Sequence, residues 1–177
     1  MNEMEIRIIG DENAKDINIK NEKFELFGRM IPCRQDGKWS YTVEKGTSVG
    51  WDIFPDENYD YEKMKDDCIF VGAYDGETCI GLAIFQKQWH KYIYLYDLKV
   101  NARYRRRGIA ARMLDKASEA ALRLGYRGIW TVGQDNNLAA CLFYIKNGFV
   151  IGGLDTEVYN GTKLEGNADI HFYKEFE

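Results

Sequence analysis

The stretch from Tyr92 to Val132 constrains the fold most. Tyr92–Val100 (YIYLYDLKV) is aromatic and β-branched, as a strand prefers. Ile109–Leu124 places Ile109, Met113, Leu114, Ala117, Ala121 and Leu124 on one helical stripe, and Gly125 stops the helix. Gly128–Val132 is a short apolar strand. A strand, a crossover helix and a second strand predict a parallel pair. Other elements add to this unit on both sides. Cys68–Tyr74, the Asp75-Gly76 turn and Cys79–Phe85 read as a hairpin. Asn137–Asn147 reads as a second helix closed by Gly148, and Phe149–Gly152 and Ala168–Phe176 as the last strands. Up to Asp67 the chain holds short apolar pieces (Glu5–Gly10, Phe24–Ile31, Trp39–Val43) among polar turns. The order predicts an α/β (α+β) sandwich around a mixed sheet.

The chain has 177 residues, which suits one domain, with 1–67 as an N-terminal elaboration, 68–152 as the core and 153–177 as C-terminal strands. No apolar run approaches the ~20 residues of a membrane span. The N-terminus is too acidic and broken for a secretory signal. Cys33, Cys68, Cys79 and Cys141 form no CxxC, and only His90 and His171 could join them, so no metal site is expected. Scattered cysteines of this kind read as reduced thiols in a cytoplasmic protein. A net charge of −4 argues against a dedicated nucleic-acid binder.

That charge hides two opposed blocks. Asp52–Asp67 holds seven acids against Lys63 and Lys65, interleaved with Trp51, Phe54, Tyr59 and Tyr61. It reads either as a lid that attracts an amine or as a solvated acidic helix. Arg103–Arg127 holds eight bases against Asp115 and Glu119. Within it, the strand ends at Val100 and a helix opens near Gly108 behind Arg105, Arg106 and Arg107. Helix N-termini carry unpaired N–H groups and a partial positive charge, which suit a phosphate. Glycine at 108 allows close approach of a ligand, and Ala110 keeps the first turn clear. A solvated basic loop explains the same residues, and neither common phosphate-loop motif is present.

The next segment separates the two readings. Arg105-x-x-Gly108-x-Ala110, then Asn137-x-x-Ala140-x-x-x-Tyr144 running to Gly148-Phe149, closely resembles the GNAT acetyltransferase superfamily over roughly Cys68–Gly152. Phe24–Pro32, Trp89, Gln134–Leu138 and Gly153-Leu-Asp155-Thr-x-x-Tyr159 resemble its streptothricin acetyltransferase branch. The resemblance implies a mostly antiparallel central sheet with a splayed parallel pair, flanked by helices. It implies acetyl-CoA as cosubstrate and direct acetyl transfer to a primary amine. Backbone N–H groups around Arg106, Arg107, Gly108, Ile109 and Ala110, with Arg105, would hold the pyrophosphate. Main-chain groups of Leu98 and Val100 would hold the pantetheine arm, helped by Asn137. Tyr144 would protonate the departing thiolate, a role its register behind Asn137 and Ala140 favours over that of a helix aromatic packed on the sheet.

Asp97 is the acid nearest the expected cleft and reads either as the base or as a structural group at a bulge. Trp89, Tyr96 and Asp155 are candidate substrate contacts, with an Asx-turn as the second reading of Asp155. The branch usually carries Glu-Asp where this chain has Tyr96-Asp97, and a Glu aligned with Val132. Both departures thin the negative charge available to a cationic acceptor. The acceptor is then streptothricin, a polyamine, an aminoglycoside or a protein amine. A non-catalytic CoA- or RNA-binding module is the alternative outside catalysis. The sequence leaves homodimer formation open and calls for neither nucleic acid nor membrane.

Overall fold

A computed structural model describes residues 4–177. In chain order the elements are β1 (Met4–Ile8), β2 (Phe24–Gln35), β3 (Lys38–Asp52), α1 (Tyr61–Met64), β4 (Cys68–Asp75) and β5 (Thr78–Gln86). There follow β6 (Tyr92–Val100), α2 (Ile109–Arg123), β7 (Gly128–Gln134), α3 (Leu138–Lys146), β8 (Val150–Asp155) and β9 (Asp169–Glu175). The class is mixed α+β, a mostly antiparallel sheet with one parallel pair and a few helices, as expected. The chain divides into two compact units: Met1–Glu22 with Phe54–Ile129 and Phe176–Glu177, and Lys23–Ile53 with Trp130–Glu175.

In the first unit, β1, β4, β5 and β6 lie side by side in that order, each pair antiparallel. The stripe on α2 buries Ile109, Met113, Leu114, Ala117 and Ala121. Leu124, expected on that stripe, is instead 54% exposed, because the helix ends at Arg123 and Leu124 is its cap. The helix sits so close to β5 that a Cβ added at Gly81 would meet Met113 Cε at 3.3 Å. A second apolar cluster joins Ile9, Ile17, Phe70, Tyr74, Leu82 and Ile84, with Tyr59, Tyr61 and Met64 packed on it. The strands are thus buried on both faces, which explains why β4 and β5 read as nearly continuous apolar runs.

In β6 the register slips. Ile84 faces Asp97 and Phe85 faces Leu95, so Tyr96 is an extra residue, a β-bulge. Before the bulge, Leu95 shares the face of Phe85; after it, Asp97 and Lys99 share the face of Ile84 and Leu82.

In the second unit, β2 and β3 form a hairpin that turns at Asp36-Gly37. It is longer than the separate pieces Phe24–Ile31 and Trp39–Val43 expected from the sequence. Gly28 of β2 lies against β3 and α3: a Cβ there would fall 2.5 Å from the Glu44 carbonyl oxygen and 2.9 Å from Leu138 Cδ2. Because one neighbour is backbone, Gly28→Ala is expected to destabilise by about 1–3 kcal/mol, as overpacking does. In a chain of this size that lowers the thermal midpoint by roughly 2–4 °C per kcal/mol, read by calorimetry. Strand β9 pairs antiparallel with β8 and neighbours β7.

Candidate active site

The junction from β6 to α2 holds the residues expected at a phosphate. Asn101 caps a 3₁₀ turn at Ala102–Tyr104 by accepting the Arg103 N–H. Arg106 and Gly108 both adopt left-handed backbone, with φ of 61° and 75°. A non-glycine residue held there is uncommon, and such conformations gather at binding sites. Nothing lies within 4 Å of a Cβ built at Gly108, so the helix mouth is open. The Arg112 N–H donates to the Gly108 carbonyl, which leaves the N–H groups of Ile109, Ala110 and Ala111 ahead of that first α-helical bond. Arg106 and Arg107 are exposed beside it, and Arg107 lies 5.3 Å from the Tyr104 ring centroid. Arg105 turns back, donating from Nε to the Val100 carbonyl at 3.0 Å. These features fit a pyrophosphate: an open backbone cradle, a helix N-terminus and exposed cations at its rim.

One strand position earlier, β6 carries a charged cluster. Lys99 Nζ lies 2.9 Å from Asp97 Oδ2 and 2.7 Å from Glu57 Oε2. The Tyr59 hydroxyl donates to Asp97 at 3.0 Å. Asp97 and Lys99 stand on one face because they are two residues apart in a strand. The segment bearing Glu57 and Tyr59 is fastened by Asn21, which bonds to Asp56, Pro55 and Glu57, and by Asn18, which bonds to both backbone groups of Tyr59. Of the acidic block, only Tyr61–Met64 becomes α-helix. Burial pushes the Asp97 carboxyl up, more than the Lys99 ammonium and Tyr59 hydroxyl pull it down. Burial alone would raise Glu57 too, but its bonds from Lys99 and Asn21 hold it below the usual range. Burial, then Asp97, raises the Tyr59 hydroxyl well above the tyrosine range, so it stays a donor.

Tyr96, half exposed, brings its ring to 6.0 Å from Tyr59 and 6.1 Å from Tyr94. The structure therefore joins Tyr96 and Asp97 in one cluster. Trp89 is placed otherwise, in the β5–β6 connection, 95% exposed and edge-on to His90. Sequence reasoning missed Lys99 as a partner and saw Glu57 and Tyr59 only as members of a charge run. The Asp97-x-Lys99 spacing on a strand was the available signal for Lys99.

In the second unit, Asn137 caps α3, its Oδ1 accepting the Ala140 N–H at 3.3 Å. Tyr144, two turns on, is 8% exposed among Phe143, Phe149 and Phe172, with centroid distances of 5.2–5.6 Å. The helix ends in a Schellman motif: the Phe149 N–H donates to the Tyr144 carbonyl and the Gly148 N–H to Ile145. Cys141 is buried on the same helix, its thiol pushed by burial up to about 12, which suits packing rather than nucleophilic attack.

Asp155 accepts the N–H groups of Glu157 and Val158, forming the turn its context suggested. Gln134 donates to the Tyr159 hydroxyl at 2.8 Å, which donates to Asp169 at 2.7 Å. Arg29 pairs with buried Asp135 at 2.9 Å and also bonds Gly166 and Asn167. Three of the segments that carried the branch resemblance thus meet through polar contacts. Among the described residues, no group of three or more His, Cys, Asp or Glu is placed to hold a metal ion, and no helix is long and apolar enough to cross a membrane.

Residues 35–149 match the acetyltransferase (GNAT) family. The chain belongs to the GNAT acetyltransferase family. As a member it transfers an acetyl group from acetyl-CoA to an amine. It is 33% identical over 165 residues to streptothricin acetyltransferase A of Bacillus subtilis (strain 168), covering 93% of this chain and 95% of that one. A solved Bacillus anthracis str. Ames protein, assigned as a streptothricin acetyltransferase and crystallised with acetyl coenzyme A, superposes with a TM-score of 0.87. The two are 29% identical and each is covered over 99% of its length. Nourseothricin acetyltransferase, 20% identical, shares the fold at a TM-score of 0.79 over 97% of this chain and 98% of the other.

Proposed function

We propose that this GNAT acetyltransferase acetylates a small cationic amine, with streptothricin as the acceptor, in the cytoplasm. The observation that carries the reading is the extent of the likeness to streptothricin acetyltransferase A. It runs over 93% of the chain, beyond the family's own match at residues 35–149. The contact between Arg29 and Asp135 and the Gln134–Tyr159–Asp169 chain give those outer segments a common structural purpose.

Acetyl-CoA, when bound, supplies an activated acetyl thioester. The open N–H groups of Ile109 and Ala110 with exposed Arg106 and Arg107 hold its pyrophosphate, and Arg105 braces the loop on Val100. Main-chain groups of Leu98 and Val100 and the side chain of Asn137 steady the rest of the donor. Asp97 takes one proton from the acceptor ammonium and passes it to solvent, leaving a neutral amine to attack. As the C–N bond forms and the C–S bond breaks, Tyr144 donates its hydroxyl proton to sulfur. The second proton leaving nitrogen restores the phenol, so one proton is released per turnover. Tyr96 lines the acceptor side, and holding both reactants together removes the entropy cost of their encounter.

Thiol release from acetyl-CoA is the test, run with streptothricin, spermidine, an aminoglycoside and a lysine-bearing peptide as acceptors. The expected result is turnover dependent on streptothricin. Turnover on spermidine with none on streptothricin overturns the acceptor and leaves acetyl transfer standing.

A further inference from the structure

A second carboxylate stands beside Asp97 although it comes from a distant part of the chain. Glu57, 40 residues earlier in the chain than Asp97, reaches the same lysine, so the two carboxylates share one ammonium. Lys99 is 10% exposed and Asp97 15%, so this contact is shielded from solvent and salt. The Tyr59 hydroxyl closes the arrangement on Asp97, and Asn21 closes it on Glu57. The set carries two negative charges and one positive, with the rings of Tyr59, Tyr94 and Tyr96 alongside.

We propose that Lys99 is a positioning residue for acetyl transfer: it clamps Asp97 and Glu57 into one pair and holds Asp97 as an unprotonated acceptor for the amine's proton. The inference rests on the reading of Asp97 as that acceptor. Lys99 itself touches neither reactant. It acts through two carboxylates whose charges oppose each other across its ammonium. The groups facing Asp97 are Lys99, Glu57 and Tyr59. Lys99 favours the charged form of Asp97 and Glu57 disfavours it, so removing either must move Asp97 in opposite directions. A purely structural clamp has no such signature, because loss of either partner would loosen it in the same sense.

The experiment measures kcat/KM against pH for Lys99→Met, Lys99→Arg, Glu57→Gln and Asp97→Asn, with whichever acceptor amine supports turnover. Lys99→Met is expected to move the acid limb up by about 1–3 pH units, the range for loss of an adjacent opposite charge. Glu57→Gln moves it down, and Lys99→Arg keeps it near the parent position. Asp97→Asn abolishes the limb. In parallel, the carboxyl carbon of Asp97 is titrated by 13C NMR in the parent and in Lys99→Met. That readout needs no activity and confirms that the variant is folded.

A limb and a carboxyl titration both unmoved in Lys99→Met overturn the proposal. So does a Glu57→Gln shift of the same sign as Lys99→Met. A limb that survives Asp97→Asn overturns it together with the role of Asp97. Absence of turnover on streptothricin alone overturns only the acceptor, because the limbs are then read on the amine that works.

Discussion

Tyr144→Phe is expected to lower kcat by about 10²- to 10⁴-fold, the usual worth of a positioned general acid. The ring sits among Phe143, Phe149 and Phe172, so phenylalanine keeps the packing and removes only the hydroxyl. An ordinary tyrosine, with a pKa of about 10, holds its proton at neutral pH and can give it to a thiolate. Losing one hydrogen-bonding hydroxyl costs roughly 0.5–1.5 kcal/mol at most. The thermal midpoint should therefore move by only a few degrees while turnover collapses. Steady-state kinetics beside calorimetry reads both, and the KM for acetyl-CoA should stay within a few-fold of the parent. An unchanged kcat would remove Tyr144 from the acid role and leave it as a core aromatic.

Asp97→Asn is expected to lower kcat/KM at pH 8 by about 10²-fold or more and to erase the acid limb. Burial raises the carboxyl, so the parent's limb lies above that of an ordinary aspartate. The sign for stability follows from the same shift. A carboxyl whose folded pKa is raised binds its proton more tightly when folded, so its contribution to stability is present at low pH and is lost as pH rises through the raised value. Asparagine mimics the protonated form and has no such loss. The variant's thermal midpoint should therefore not fall with pH across that window, although its activity is poor. Glu57 works the other way: its folded pKa is lowered, so it contributes above its unfolded value and loses that contribution as pH falls through the folded one. An activity drop accompanied by an intact acid limb would assign the base elsewhere.

Where local pattern sufficed, the sequence was readable. The stripe on α2, the Asp75-Gly76 hairpin and the two helix ends at Gly125 and Gly148 each reflect residues a few positions apart. The β2–β3 hairpin was read only in fragments, although Asp36-Gly37 announced its turn. Strand β3 is exposed along nearly its whole length, so it lacks the apolar alternation that marks a half-buried strand. The open loop before α2 was visible because Arg105, Gly108 and Ala110 are local to one junction. The charged cluster around Asp97 was not. Lys99 reaches Glu57 across 42 positions and Tyr59 reaches Asp97 across 38, and pairs formed by tertiary contact leave no periodic trace. Asp155 shows the converse: its two backbone bonds are local, and the turn reading came directly from the surrounding glycines.

The extra residue in β6 has a consequence for how this strand can vary. Ile93 and Leu95 precede it on the face that packs toward α2, whereas Asp97 and Lys99 follow it on the opposite face. All four are odd-numbered, so a regular strand would have sent them the same way. Tyr96 therefore acts as a parity switch between an oily half and an ionic half. Deleting Tyr96 would leave a regular strand in which Leu95 still faces α2 and Asp97 and Lys99 keep the other face, so only the ring beside Tyr59 and Tyr94 would be lost. The extra residue adds an aromatic ring to the ionic half without turning either half over. The strand's residue count is as much a part of the site as its residues.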